Sequence, residues 1–408
     1  MHGRVRTMWF RRKRLLRGIG IVYPEITGWS GGARYIKTLA FSLGTACQSA
    51  GTDIYLLREQ MGTQQKSTEY QIRNVPFTVL RVAVPTYFPG EWRIRQLLAM
   101  SEPSRLIKTA RDHRISVLLP CRSVAFRPSG VKIIGWIPDF QHVYRPEFFS
   151  EEECRRRDTA FRSVAERSTL LLLSSQNALD HFAEIFPEHI QKARLAPFPS
   201  LFAFENPTGD VQATLRKFNL PAKFALVANQ FWRHKNHGVV IEAIRQVHSK
   251  GIPIPLVITG LPVDYRDRNN ETTSRIFQAI ASAGLNRHIT VLGMLDDFDF
   301  GNLMRAAAVI LQPSLFEGWS TVIQDGKAVG RPVICSDIPV HREQATQAVG
   351  FFRSDLAEEL ADLLAQHWSD FDSGPDPERE TKALAAEREF ARLHGQQLLA
   401  ICKEAICL

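Results

Sequence analysis

An acidic pair stands in the stretch PSLFEGWSTVIQDGKAVGRPVIC, residues 313–335, where a predicted strand ends and a helix starts near Ser320. The first amides of a helix have no partner inside the helix and carry partial positive charge, so they favour a phosphate group. Glu317 precedes this helix, and Asp325 lies about eight residues on, or roughly 12 Å along the axis. That spacing suits a long ligand with hydroxyl groups at both ends and phosphates in the middle. The alternative is a glutamate that caps the helix and an exposed aspartate.

Basic residues follow another predicted strand in the stretch NQFWRHKNH, residues 229–237. Arg233 and Lys235 lie just before a predicted helix, where cations can join the helix amides in binding phosphate. The alternative is a solvated basic turn.

Two further stretches carry polar or small residues after strands. In WIPDFQHVYRPE, residues 136–147, Asp139 and His142 are expected to face a cleft, although a single histidine is more often structural. In GWSGGARY, residues 28–35, Gly31 and Gly32 lie at a predicted helix start, where the lack of side chains allows close approach of a ligand.

The elements that must position these residues alternate between short apolar strands and amphipathic helices. This alternation predicts parallel sheets with crossover helices, in an α/β fold. It breaks after residue 196 and restarts at 224, which predicts two doubly wound domains with ligands at the carboxyl ends of their strands. The predicted divisions are a basic tail (1–17), a first domain (18–200), a linker (201–222), a second domain (223–370) and a C-terminal helical segment (371–408).

Composition narrows the class of protein. The 408 residues are 44% hydrophobic and 23% charged, as in a globular chain, and no apolar run reaches the length of a membrane span. The net charge is +9, with 30 Lys and Arg against 17 Asp and Glu in residues 1–200. The densest basic cluster is a single tail, not the channel of basic and aromatic residues that binds single strands, which argues against nucleic-acid binding and leaves contact with an anionic membrane open. The six scattered cysteines have no zinc-site spacing and fit a reducing cytoplasm.

The stretch 313–335 resembles the E-x7-E signature of retaining glycosyltransferases with the GT-B fold, the large family 4 (group 1). The flanking segments P-S-L-F-E-G and G-R-P-V-I-C-S-D-I-P match as well. The resemblance implies two Rossmann-like domains that face each other across a cleft. It also implies that Glu317 contacts the donor sugar, and that Asp325, in place of the family's second Glu, holds the ribose. The other donor-binding residues implied here are Gly318, Trp319, Ser320, Thr321 and Val322.

The remaining motifs match the family in part. Lys235 falls on the family's Lys, while Gln230 stands at the usual Arg, so Arg233 is expected to substitute. The loop resembles H-D-x-x-P-x-x-x-P-E, in which Asp139 matches and His142 matches only in kind; both are expected to be catalytic. Gly31 and Gly32 are implied to lie beside the donor phosphates. The last helix is implied to cross back to the first domain.

The resemblance thus implies a hexosyltransferase that moves a hexose from a nucleoside-diphosphate sugar, of the UDP or GDP type, to a glycan or lipid-linked saccharide. No metal or other cofactor is expected. The process would be cell-envelope polysaccharide synthesis, in the cytoplasm or at the inner face of the membrane. The alternatives are a catalytically silent nucleotide-sugar-binding protein and a GT-B nucleotide-sugar 2-epimerase.

Overall fold

Two parallel sheets dominate a computed structural model that describes residues 16–23, 30–61, 77–84, 102–124, 130–205, 207–264, 266–267 and 269–408. Each sheet belongs to one domain, which we call the first and the second domain in chain order. Within these ranges no helix is both long and apolar enough to cross a membrane.

The first domain is built on seven strands in the order β3-β2-β1-β4-β5-β6-β7, all parallel. Its central strands are continuous apolar runs because helices cover both faces of the sheet. The strands are β1 Gly18–Tyr23, β2 Asp53–Met61, β3 Thr78–Val84, β4 Val117–Cys121, β5 Lys132–Trp136, β6 Leu170–Leu173 and β7 Ala193–Leu195. The helices are α1 Ser30–Ala50, α2 Glu102–Asp112, α3 Gln141–Tyr144, α4 Glu151–Arg167 and α5 Gln176–Ile185, with 3-10 turns at Pro146–Phe148 and Pro187–Lys192.

The second domain repeats the same strand order with six parallel strands, β10-β9-β8-β11-β12-β13. Its strands are β8 Ala225–Ala228, β9 Leu256–Thr259, β10 Ile289–Gly293, β11 Val309–Gln312, β12 Val333–Ser336 and β13 Gly350–Phe352. Its helices are α6 Val211–Lys217, α7 His237–Ser249, α8 Glu271–Ser282, α9 Asp297–Ala306, α10 Thr321–Ala328, α11 Pro339–Gln344 and α12 Ala357–His367. Further 3-10 turns are Leu201–Ala203, Arg233–Lys235 and Trp368–Asp370.

Each sheet separates two apolar cores, since successive strand residues point to opposite faces. Ile21 of β1 faces a core shared with α1, whereas Val22 faces one shared with α2, α4 and α5. In the second domain Val227 of β8 faces α7, α8 and α12, and Leu226 faces α6, α9 and α10. The two domains are Rossmann-like, which confirms the fold predicted from the alternation of strands and helices.

The last helix, α13 (Pro377–Cys407), joins the two domains. Near its start Glu380 forms an ion pair of 3.1 Å with Arg305 of α9. Its end packs on α1, where Cys402 lies in the first domain's core. A Cβ atom at Gly395 would stand 2.1 Å from the carbonyl oxygen of Ser42, so the two helices approach this closely only at a glycine.

The predicted linker differs in detail from the structure. The linker 201–222 contains α6, whose Leu215 packs in the second domain's core. This helix is too short, at seven residues, for its periodicity to stand out between turn residues. Gly31 and Gly32 lie in the first turn of α1, at the helix start where the sequence predicts them. Most of the basic tail, the loop residues 28–29 and the predicted helical segment 91–101 lie outside the described residues.

Candidate active site

A helix N-terminus faces the interdomain cleft at the end of β11. Ser320 caps α10, with its Oγ atom accepting a 3.3 Å hydrogen bond from the amide of Ile323. The amide of Ser320 donates to Oε1 of Gln344 at 3.0 Å. Thr321 and Val322 occupy the first turn, where backbone amides have no partner within a helix. Of the three predicted phosphate-binding amides, that of Ser320 therefore already has a protein partner.

Glu317 and Lys235, both predicted from sequence, meet beside this helix. The Nζ atom of Lys235 lies 2.5 Å from Oε1 of Glu317. Gln312, the last residue of β11, donates to the same oxygen at 3.0 Å and is itself oriented by Asn229, whose Nδ2 atom donates to it at 2.7 Å. The carboxyl ends of β8 and β11 thus supply a cation and a carboxylate at one point.

Asn229 and Gln312 are buried polar residues that sequence reasoning missed. A signal existed, because each is a polar side chain at the end of an apolar strand, on the edge of a parallel sheet where ligands bind.

Arg233 does not join Lys235. Its Nη1 atom donates to the carbonyl oxygen of Glu147 at 3.2 Å, and its guanidinium lies 5.4 Å from the ring centroid of Phe148. Both partners belong to the first domain. The structure therefore places Arg233 in an interdomain contact instead of beside the lysine for which it was expected to act as a companion.

Gly318 brings the two domains together next to Glu317. A Cβ atom at this position would stand 1.9 Å from the carbonyl oxygen of Pro138 and 2.9 Å from the Cβ atom of Asp139. The Asp139 carboxylate accepts a 2.9 Å hydrogen bond from the amide of Gln141, at the start of α3. Asp139 can approach Gly318, the residue after Glu317, because residue 318 has no side chain.

Trp319 and His142 take part in packing. The indole Nε1 of Trp319 donates to the carbonyl oxygen of Phe198 at 3.0 Å, across the cleft. His142 is 3% exposed, lies 3.0 Å from the Asp158 carboxylate through Nε2, and packs on Phe161. Burial lowers the pKa of His142, against the opposing effect of Asp158. A direct substrate contact, which the sequence motif predicts, would require this ring to leave its buried position.

Asp325, the predicted ribose ligand, is occupied by the first domain. The Nη2 atom of Arg34 lies 3.0 and 2.9 Å from its two carboxylate oxygens, and the Ser200 hydroxyl donates to one of them at 2.6 Å. Asp325 is 2% exposed, and burial raises its pKa while Arg34 and Ser200 act in the opposite direction. No local sequence pattern pairs residues so far apart, so both partners were missed.

The cleft between these residues is narrow. The gap between Arg34 on α1, Phe198 and its neighbours, and Thr321 and Asp325 on α10 has no room for even a water-sized molecule. Small-molecule sites usually measure about 300–1,000 Å³. Entry of a nucleotide-sized ligand at this point therefore requires the two domains to separate.

No three His, Cys, Asp or Glu side chains in the described part of the chain group together as potential metal ligands. Two cations of this region, Lys235 and Arg34, are each paired with a carboxylate.

Comparisons with known proteins agree with the fold. Residues 213–380 match the family model described as glycosyl transferases group 1. A glycosyltransferase from Rickettsia africae ESF-5 is similar in structure, with 16% identity, a TM-score of 0.66, and coverage of 95% of this chain and 98% of that one. The sucrose-phosphate synthase of Thermosynechococcus elongatus has 16% identity and a TM-score of 0.62, over 95% and 97% of the two chains.

A third similar structure is Anabaena Alr3699/HepE in complex with UDP-glucose, with 14% identity, a TM-score of 0.60, and coverage of 95% and 98%. A comparison with curated proteins found no match. The fold and the matched segment define the chain as a glycosyltransferase with the GT-B fold. Its second domain is a group 1 glycosyl transferase domain.

Proposed function

We propose that the chain transfers a hexose, with retention of anomeric configuration, from a nucleoside-diphosphate sugar to a saccharide acceptor. The observation that carries the proposal is the Lys235–Glu317 pair beside the N-terminus of α10. A cation and free amides next to a carboxylate suit a diphosphate joined to a sugar. UDP-glucose is the first donor to test, since the similar Anabaena protein has been solved with UDP and with UDP-glucose.

In this proposal the diphosphate binds the amides of Thr321 and Val322 and the Lys235 ammonium. Lys235 exchanges its contact with Glu317 for the phosphate, and Glu317 then accepts hydrogen bonds from the sugar near its reacting carbon. Gln312 keeps Glu317 oriented during the exchange, because its amide donates to the carboxylate from inside the domain. Fixed donors that stabilise the charge developing on the leaving diphosphate typically contribute about 10²–10³ in rate.

Asp325 serves the ribose only if Arg34 withdraws, since Arg34 bonds both of its oxygens. Separation of the domains removes Arg34 and frees the carboxylate for the ribose hydroxyl groups. Ser200 stays beside it, because the adjoining turn Leu201–Ala203 packs through Phe202 in the second domain's core. Closure after binding brings Asp139 back to Gly318 and excludes water from the bond that is broken.

For the acceptor we propose a glycan or lipid-linked saccharide of the cell envelope, with the chain working in the cytoplasm or at the inner face of the membrane. The support is the excess of basic residues in the first 200 positions, which attracts anionic surfaces.

The test is nucleotide-sugar binding and turnover. The melting temperature is measured with UDP, GDP and ADP and with their glucose conjugates. The nucleotide that the chain binds should raise it, and the other two should not. Lys235→Met should then reduce turnover about a hundredfold with the fold intact.

The matched control is Lys250→Met, since the ammonium of Lys250 forms a 2.9 Å ion pair with Asp362 at an exposed site. Equal turnover in the Lys235 variant and the control would remove the lysine from the mechanism. Binding without turnover across an acceptor panel would instead support the silent binding protein, and consumption of the donor without any acceptor would support the epimerase.

A further inference from the structure

Three aromatic side chains meet across the mouth of the cleft. Tyr144, at the end of α3, stacks on His181 of α5 with ring centroids 3.9 Å apart. Phe316, from the second domain, lies nearly parallel to both rings, at an interplanar angle of 18° to each. Its centroid is 6.3 Å from that of Tyr144 and 5.9 Å from that of His181. The three rings therefore form two parallel walls, one on each domain.

The walls stand next to the candidate reaction centre. Phe316 directly precedes Glu317, and Asp139, which reaches Gly318, is close enough to His181 to act on its charge. All three rings are half-buried, so each keeps part of its surface open to solvent. Because Phe316 moves with the second domain, separation of the domains widens the gap between the parallel faces.

Carboxylates surround the first-domain wall. The Tyr144 hydroxyl donates to the Glu184 carboxylate at 2.6 Å. Asp180, Glu184 and Asp139 all act on His181, yet burial is the larger effect and lowers the pKa of this histidine. The imidazole is then uncharged at neutral pH, so it does not neutralise the negative charge of the carboxylates around it. These carboxylates are opposite in sign to the net charge of the first 200 residues.

We propose that Tyr144, His181 and Phe316 form the acceptor subsite and that it takes the pyranose ring of a neutral, unphosphorylated saccharide. The C–H groups on one face of a pyranose are apolar and weakly positive, and the face of an aromatic ring is negative, so the two stack. Carboxylates such as Glu184 accept hydrogen bonds from sugar hydroxyls and repel a phosphate group. This inference rests on the proposed function and specifies its acceptor.

The test compares sugars that differ only in a phosphate. Glucose, mannose and galactose, and their 6-phosphates, are titrated against the full chain with UDP present, and saturation-transfer NMR reports their binding. At least one neutral sugar should bind, with the corresponding phosphate about tenfold weaker or more. Equal or tighter binding of the phosphates overturns the proposal, and so does the absence of binding by all six.

Variants locate the binding. His181→Ala and Phe316→Leu should each weaken binding of the neutral sugar about tenfold, while Glu184→Gln should narrow the gap between neutral and phosphorylated forms. The control is Phe277→Ala, since Phe277 is 46% exposed and lies on α8, which packs on α7 and not at the cleft. If one of these two ring variants fails to fold, sugar binding by the other tests the assignment. Unchanged sugar binding in a folded ring variant overturns it.

Parallel titrations of UDP separate the two proposals. Binding of UDP without binding of any sugar overturns the acceptor subsite and leaves the donor assignment standing. Binding of a neutral sugar without binding of any nucleotide overturns the proposed function. The sugar titration then still tests the aromatic walls by itself.

Discussion

Arg34 of the first domain holds both carboxylate oxygens of Asp325 in the second domain, at 3.0 and 2.9 Å. A residue expected to bind the donor ribose is thus neutralised by the opposite domain. The side chains are 15% and 2% exposed, so solvent screens this pair far less than an exposed one. Asp325 therefore becomes accessible to a ligand only when the two domains separate.

Replacement of Arg34 by methionine should therefore tighten the binding of UDP. An intramolecular partner reduces the fraction of molecules able to bind, and its removal restores that fraction; we expect a gain of about tenfold in affinity by calorimetry. The melting temperature should fall, because removal of one partner from a buried pair costs about 3 kcal/mol or more.

The control for this change is Arg245→Met, which breaks the exposed pair with Glu242 on α7. It should alter neither quantity measurably. Weaker binding of UDP by a folded Arg34→Met protein would contradict the prediction and show that Arg34 itself holds the donor.

Gly318→Ala tests the approach of the domains. The added methyl group would stand 1.9 Å from the carbonyl oxygen of Pro138, so the domains must move apart. The radius of gyration from small-angle scattering should rise in the unliganded protein, and transfer to an acceptor should fall about a hundredfold through misplacement of the reacting groups.

Gly238→Ala on α7 is the matched control, since a Cβ atom there meets no atom within 4 Å. It should leave both the scattering and the transfer rate unchanged. An unaltered radius of gyration in Gly318→Ala would show that the loop around Pro138 yields locally instead.

The folded protein should become less stable as the pH falls. Burial lowers the pKa of His237 to about 4, that of His341 and His394 to about 3, and that of His234 well below its usual value. The unfolded chain takes up protons near pH 6.5 while the folded chain does not, so the free energy of unfolding decreases as the pH drops from 6.5 towards 4. The slope approaches about 1.4 kcal/mol per pH unit for each such histidine.

Urea denaturation at pH 8, 7, 6 and 5 measures this slope. His394→Gln should flatten this slope by the contribution of one buried histidine. Equal stability at pH 7 and pH 5 would contradict the prediction.

The features that could be predicted from the sequence are those set by residues close together in the chain. Buried strands are short apolar runs, and Lys235 and Glu317 each follow one, so their approach at the carboxyl edge of the sheet could be expected. The Arg34–Asp325 pair could not, because its partners are 291 positions apart and neither stands in a pattern that names the other. His142 was predicted to face the cleft, but the single turn of α3 directs it towards α4, and so short a helix leaves no periodic signal.

The packing of α13 against α1 also affects the order in which the two domains fold while the chain is being translated. The core of the first domain contains Leu398, Cys402 and Ile406 beside β1 and β4, which are made more than 270 residues earlier. On the ribosome, the second domain has all its strands available before that core can close. We therefore expect the domain translated first to reach its native packing last, after the second domain is already assembled.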